Sequence, residues 1–196
     1  MGRHKKYDRT LAVDKGVPLL RKNGYHNTSA ADIVDSIAIP KGTFFGMFKT
    51  KEDFGLEVLQ QYIENSLDFM ELHLNKNRSI SAGKRLQMFY GAVSQCYTDE
   101  GCAHGCLLNN LTSEVAGYND AFSQLAQKGH ALIIGKLEPC VKEAQENGDF
   151  RSDIGSYELA YFIHTSFDGA VLKMKGERNE KALKIFMKTI FQLIRK

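Results

Sequence analysis

Apolar residues recur at three- and four-residue spacing along most of the chain, as they do in helices that each bury one face. The clearest run is Ala182, Leu183, Phe186, Ile190, Leu193 and Ile194, which predicts a C-terminal helix over about 180–195 with a continuous apolar stripe. Leu159, Phe162, Ile163, Phe167, Ala170, Val171 and Met174 predict another over about 157–175. The polar break Gly176-Glu177-Arg178-Asn179 should turn these two into an antiparallel pair. Polar or glycine-bearing breaks at 75–81, 98–105, 117–119 and 147–155 divide the region upstream into further helices. No segment alternates as a strand would, and no internal repeat is present. The pattern predicts an all-α chain.

Residues 24–54 hold three helix starts in close succession. Gly24 suits the end of a first helix. Ser29 with Asp32 three residues on is a capping box that opens a short helix with Ile33, Val34 and Ile37 on its apolar face. That helix stops at Ala38-Ile39, and Pro40 suits the first turn of the next, which runs about a turn and a half to Phe48. Thr50 and Asp53 repeat the capping-box spacing at the head of a long helix over about 51–74. Pro18 falls inside the first helix and predicts a kink or a late start there.

Two short helices joined by a tight turn, with Lys41 and Thr43 at the start of the second, have the form of a helix-turn-helix whose second helix enters the DNA major groove. Lys41 would pair with phosphate, and Thr43 and the backbone at Gly42 would face base edges or sugar-phosphate. Thr28, Ser29 and Lys51, each near a helix N-terminus, are further phosphate contacts.

Charge adds to this picture only when divided along the chain. The net charge is +3, but through Asp53 there are ten Lys/Arg (among them Arg3, Lys5 and Lys6) against six acids, and beyond it 16 against 17. The positive excess therefore lies wholly in the segment expected to meet phosphate. At 196 residues the chain is long enough for two modest domains, read as 1–50 and 51–196. No apolar run approaches a membrane span and the basic N-terminus lacks the form of a secretory signal, so a cytoplasmic protein is expected. Four cysteines at 96, 102, 106 and 140 are too few and too oddly spaced for a disulfide scaffold.

In this segment the sequence resembles the TetR family of transcriptional regulators. The resemblance rests on Gly24-Tyr25, Thr28-Ser29, Lys41-Gly42-Thr43-Phe44-Phe45-Gly46-Met47-Phe48 and Thr50-Lys51-Glu52, all in register. It implies an N-terminal three-helix DNA-binding domain, a C-terminal helical sensing and dimerisation domain, a homodimer, a double-stranded operator of palindromic form and a repressor role. Phe45 and Met47 depart from the Tyr and His usual on the family's recognition helix and cannot donate a hydrogen bond to phosphate.

Cys102-Ala-His-Gly-Cys106 precedes a helix with Leu107, Leu108, Leu111 and Val115 on its apolar face. A helix N-terminus stabilises thiolate, so Cys106 is a candidate reactive thiol with Cys102 as resolving partner; a buried, inert Cys106 is the standing alternative. Cys96 and Cys140 read as core residues. A metal site of Cys102, His104 and Cys106 lacks the usual zinc spacing, and no metal or cofactor is expected. The segment resembles the NemR-like subgroup of the family through Gly105-Cys106-Leu107 and Leu111-Thr112-Ser113-Glu114-Val115. That resemblance implies an electrophile or oxidant sensor at Cys106, with Lys175 as its partner. A non-covalent small-molecule inducer is the other reading, with Tyr90, Tyr97, Phe122, His130, Phe162, His164, Phe167 and Asp168 as pocket candidates. A thiol enzyme and a ligand-carrying helical protein are the readings from other classes, but no nucleophile, base and orienting group share a workable spacing, so no enzyme is expected.

Overall fold

The computed structural model describes residues 7–76 and 78–196, so the basic residues Arg3, Lys5 and Lys6 lie outside the described residues. Among those described, the chain forms α1 (Arg9–Asn23), α2 (Ala30–Ile37), α3 (Lys41–Phe48), α4 (Lys51–Leu74), α5 (Ala82–Asp99), α6 (Leu107–Glu114), α7 (Asp120–Glu146), α8 (Ser156–Glu177) and α9 (Lys181–Leu193). An isolated antiparallel bridge between Phe150 and Arg195 is the β-type pairing seen among them. The all-α expectation and the positions of the breaks hold.

The chain divides into two compact units that do not follow a cut at residue 50. The first contains the described residues of Met1–Ile63 together with Leu107–Ala126; the second contains Glu64–Cys106 and Gln127–Lys196. α6 and the head of α7 join the first three helices, as where the Phe122 ring meets that of Tyr25 edge-on, because helices as short as α2 and α3 enclose little core on their own.

In the first unit, Asp8 caps α1 by accepting from the Thr10 and Leu11 amides at 2.9 and 3.4 Å. The helix then runs unbroken through Pro18, whose ring is exposed, so the late start expected at this proline does not occur. Three buried rings make the centre of the unit: Phe44, Phe48 and Phe54 pack at centroid separations of 5.0–5.5 Å in tilted and edge-on geometries. Leu20, Ile33, Ile37 and Val58 complete it. In the second unit, the α8 and α9 stripes close over Tyr90, Phe167 and Phe186, whose centroids lie 4.8–5.4 Å apart. Arg85 is buried there, donating to the Leu74 carbonyl at 2.7 Å and pairing with Glu143, so it satisfies the end of α4 while holding α7.

Candidate functional site

Local chemistry sets the helix-turn-helix. Ser29 Oγ accepts from the Asp32 amide at 3.1 Å and Asp32 Oδ2 accepts from the Ser29 amide at 2.7 Å, which closes the capping box and holds the Asp32 carboxyl below its ordinary range. α2 ends at Ala38 in the left-handed conformation (φ 57°, ψ 46°), its amide returning to the Val34 carbonyl. Pro40 follows as the N-cap of α3, with φ −62° and ψ 143°, one position earlier than the first turn expected for it. α3 itself extends two full turns because Phe44 and Phe48, four apart, both reach the core.

Burying that face leaves Lys41, Gly42, Phe45 and Gly46 exposed, with Thr43 and Met47 half-buried. A Cβ at Gly42 or Gly46 would meet nothing within 4 Å. Each glycine costs about 1 kcal/mol of helix propensity without relieving any clash inside the protein, as fits a helix that another molecule approaches closely. The first-turn amides of α3, having no intrahelical acceptors, add partial positive charge beside Lys41. This is a surface suited to phosphate and groove edges.

Of the three further contacts expected, Thr28 is placed differently. Thr28 is fully buried and its hydroxyl donates to the Gly24 carbonyl at 2.6 Å, so it fastens the turn before α2 and presents no side chain to phosphate. Lys51 is half-buried with its ammonium 4.2 Å from the Tyr25 ring centroid, and burial lowers its pKa. Ser29 is exposed at the head of α2, and its hydroxyl accepts from the Asp32 amide in the capping box, a role that does not use its own O–H proton.

Two contacts with no local signal complete the first unit. Arg9 pairs with Glu57, donates to the Met47 carbonyl and stands 4.7 Å from the Phe48 ring, which steadies the end of α3. Glu114, the last residue of α6, accepts from the backbone amides of Tyr25 and His26 at 2.9 and 2.6 Å. Gly24 makes this grip possible: its φ is +80°, and a Cβ there would stand 3.0 Å from the Glu114 carboxylate. α6 thus holds the turn between α1 and α2.

Cys106 is half-buried immediately before α6, and Lys175 is half-buried near the end of α8. Cys102 is buried with φ 57°. Cys140 is buried as expected, and burial pushes its thiol up to about 11, whereas Cys96 is exposed and does not belong to the core.

The pocket candidates separate into three groups. Phe122 packs in the first unit, 5.1 Å from the Tyr25 ring, and is not part of a set with the others. Phe162 is 55% exposed and lines a groove of about 550 Å³ between α8 and α9, with Gly169, Ala170, Ile185 and Leu193, so it faces outward from the core. Tyr90, Tyr97 and Phe167 are buried core rings, and beside them His130, His164 and Asp168 come together. His164 Nε2 lies 3.7 Å from Asp168 Oδ2, and Tyr90 Oη lies 3.5 Å from His164 Nδ1. Burial, opposed by Asp168 and aided by His130, lowers the His164 pKa. Among the described residues this trio, not Cys102, His104 and Cys106, gathers one potential ligand atom from each member within 4.8 Å of the other two.

Residues 82–190 match the family model of the tetracyclin repressor-like C-terminal domain, and residues 12–58 match that of bacterial regulatory proteins of the tetR family. The chain is 29% identical over 182 residues to the HTH-type transcriptional repressor DhaR of Mycobacterium sp. (strain GP1), covering 93% of this chain and 89% of that protein. It is 22% identical over 189 residues to the HTH-type transcriptional repressor NemR of Escherichia coli (strain K12), covering 93% and 92%. The crystal structure of reduced E. coli NemR matches with a TM-score of 0.87 at 20% identity, over 95% of this chain and 96% of that one. A regulatory protein TetR from Rhodobacter sphaeroides matches with a TM-score of 0.89 at 24% identity, over 94% and 97%. Matched at both its helix-turn-helix and its C-terminal helices, the chain belongs to the TetR family of bacterial regulatory proteins.

Proposed function

We propose that the protein is a TetR-type transcriptional repressor, a regulator and not an enzyme, which binds a palindromic double-stranded operator in the cytoplasm as a homodimer and leaves it on a chemical signal. The observation that carries the DNA reading is α3: buried Phe44 and Phe48 fix it, while Lys41, Gly42 and Phe45 are left exposed beside Thr43 at its start. Both relatives described above are named repressors. No helix among the described residues is long and apolar enough to cross a membrane.

The signal in this reading is an electrophile or oxidant that modifies Cys106, with Lys175 lowering its pKa or bonding to its oxidised sulfur. Support comes from the position of α6. Cys106 precedes its first residue, and Glu114 at its last holds the Tyr25 and His26 amides just ahead of α2. A modification that shifts α6 acts on the helix-turn-helix through that carboxylate. Only a modification that prefers one conformer moves the equilibrium, and α4, which begins in the first unit and ends in the second, is the natural lever. The half-buried polar group of His130, His164 and Asp168 favours the second reading, a non-covalent effector with an inert Cys106.

The test is salt-dependent binding of DNA from the protein's own upstream region, with reduced protein, after hypochlorite or electrophile treatment, and with Cys106→Ser. Specific binding that treatment abolishes in the wild type and spares in Cys106→Ser supports the thiol switch. Binding indifferent to treatment leaves the repressor with a non-covalent effector. No saturable DNA binding by the folded protein to any sequence would overturn the repressor reading itself.

A further inference from the structure

We propose that His130, His164 and Asp168 form a binding site for a first-row divalent transition-metal ion, with Tyr90 as the residue that positions His164. His164 and Asp168 stand one turn apart on α8, so both side chains share a face, and His130 reaches them from α7. One ligand atom from each of the three lies within 4.8 Å of the other two. Ligands bound to one ion at about 2.0–2.2 Å stand roughly 3–4 Å apart, so side-chain adjustment alone brings these atoms to coordination distance. An i,i+4 ion pair accounts for His164 with Asp168 but gives no reason for a second imidazole to arrive from another helix. Together the three supply two nitrogens and one carboxylate oxygen. That donor set favours zinc, nickel, cobalt, copper or iron over magnesium or calcium, which take oxygen ligands.

The surroundings suit the same role. Tyr90 on α5 is fully buried, and its hydroxyl lies 3.5 Å from His164 Nδ1, which leaves Nε2 on the side of Asp168. A hydrogen bond on the far nitrogen of a ligating imidazole fixes both tautomer and ring orientation. All three ligands are half-buried, so the ion would lose part of its water while keeping an approach from solvent. Three protein ligands leave at least one coordination position for water or for a donor atom of a small molecule. The site stands independently of the repressor reading, because binding can be measured without DNA.

The experiment titrates the full-length, reduced, chelator-treated protein with Zn(II) by calorimetry and with Co(II) by visible absorption. One saturable site is expected, with a Co(II) spectrum of nitrogen and oxygen ligation and no thiolate charge-transfer band. His130→Gln and Asp168→Asn should each weaken binding by more than about a hundredfold, and Tyr90→Phe by about tenfold, with helix content unchanged by circular dichroism. Unchanged affinity in His130→Gln and Asp168→Asn, a thiolate band from the cysteines, or no saturable binding to the folded wild type would each overturn the proposal.

Discussion

Cys140 Sγ donates to the Ala82 carbonyl at 3.4 Å inside the second unit, and burial holds its pKa near 11. At pH 8 about one Cys140 in a thousand is then thiolate, the form that attacks alkylating agents. Raising the pH toward 11 increases that fraction, so reactivity should climb with pH. Iodoacetamide mapping by mass spectrometry on the native protein is expected to modify exposed Cys96 at pH 8 and to spare Cys140 until the pH nears 11 or the chain unfolds. Equal labelling of the two at pH 8 would refute this ordering. Gly24 gives a second test at the same scale. Its φ of +80° with ψ 167° lies in a region that other residues occupy at a cost of about 1–3 kcal/mol. Gly24→Ala also drives a Cβ toward the Glu114 carboxylate. Urea unfolding should show a loss of at least about 1 kcal/mol, and an unchanged midpoint would show that the turn relaxes freely.

At the scale of the element, α3 and α6 act through different ends. Lys41 is exposed at the start of α3, where it would meet phosphate, so Lys41→Ala should weaken binding about equally across DNA sequences. The slope of log K against log salt should fall by about 1, as one phosphate contact is lost. A change confined to one operator sequence would instead make Lys41 a base contact. Glu114 offers a readout that needs no DNA. Its carboxylate accepts two backbone amides, and hydrogen bonds to charged groups are worth about 1.5–3 kcal/mol. In Glu114→Ala, exchange at the Tyr25 and His26 amides should accelerate by about tenfold or more by NMR, while α5 and α9 amides keep their protection. Helix starts at Ser29 and Thr50 were legible because capping boxes are written within four residues. The partners of Glu114 lie 88 and 89 residues away, and no local pattern announces them. Periodicity likewise marks an apolar face without saying which neighbour it meets: Cys96 and Cys140 both sit in helical runs, yet only one turns inward. The same limit hid the inward course of Thr28, whose spacing fits a phosphate contact as well as a turn fastening.

On the scale of the whole molecule, the α8 and α9 stripes carry more apolar surface than one protomer buries. Leu159, Ile163, Phe167, Val171, Met174, Leu183, Phe186 and Ile190 are buried, but Phe162, Leu172, Ile185 and Leu193 remain 54–68% exposed. Full burial of a wholly exposed side chain of this size is worth about 1.5–3 kcal/mol, and covering the part still exposed here contributes roughly half of that each, a driving force for association when several share one face. Gly169, where a Cβ would meet nothing within 4 Å, lines the open groove between these helices. In the proposed homodimer, α8 and α9 meet their copies as a four-helix interface. Ile185→Glu combined with Leu193→Glu would bring charge into that interface while leaving the buried stripe untouched. Light scattering after size exclusion should then report a monomer of about 22 kDa, with far-UV circular dichroism unchanged. Operator affinity should fall by orders of magnitude, because a single recognition helix reads one half-site and loses the second. A variant that stays dimeric and keeps its operator affinity would move the interface to another face; one that turns monomeric yet binds as tightly would remove the need for a palindrome.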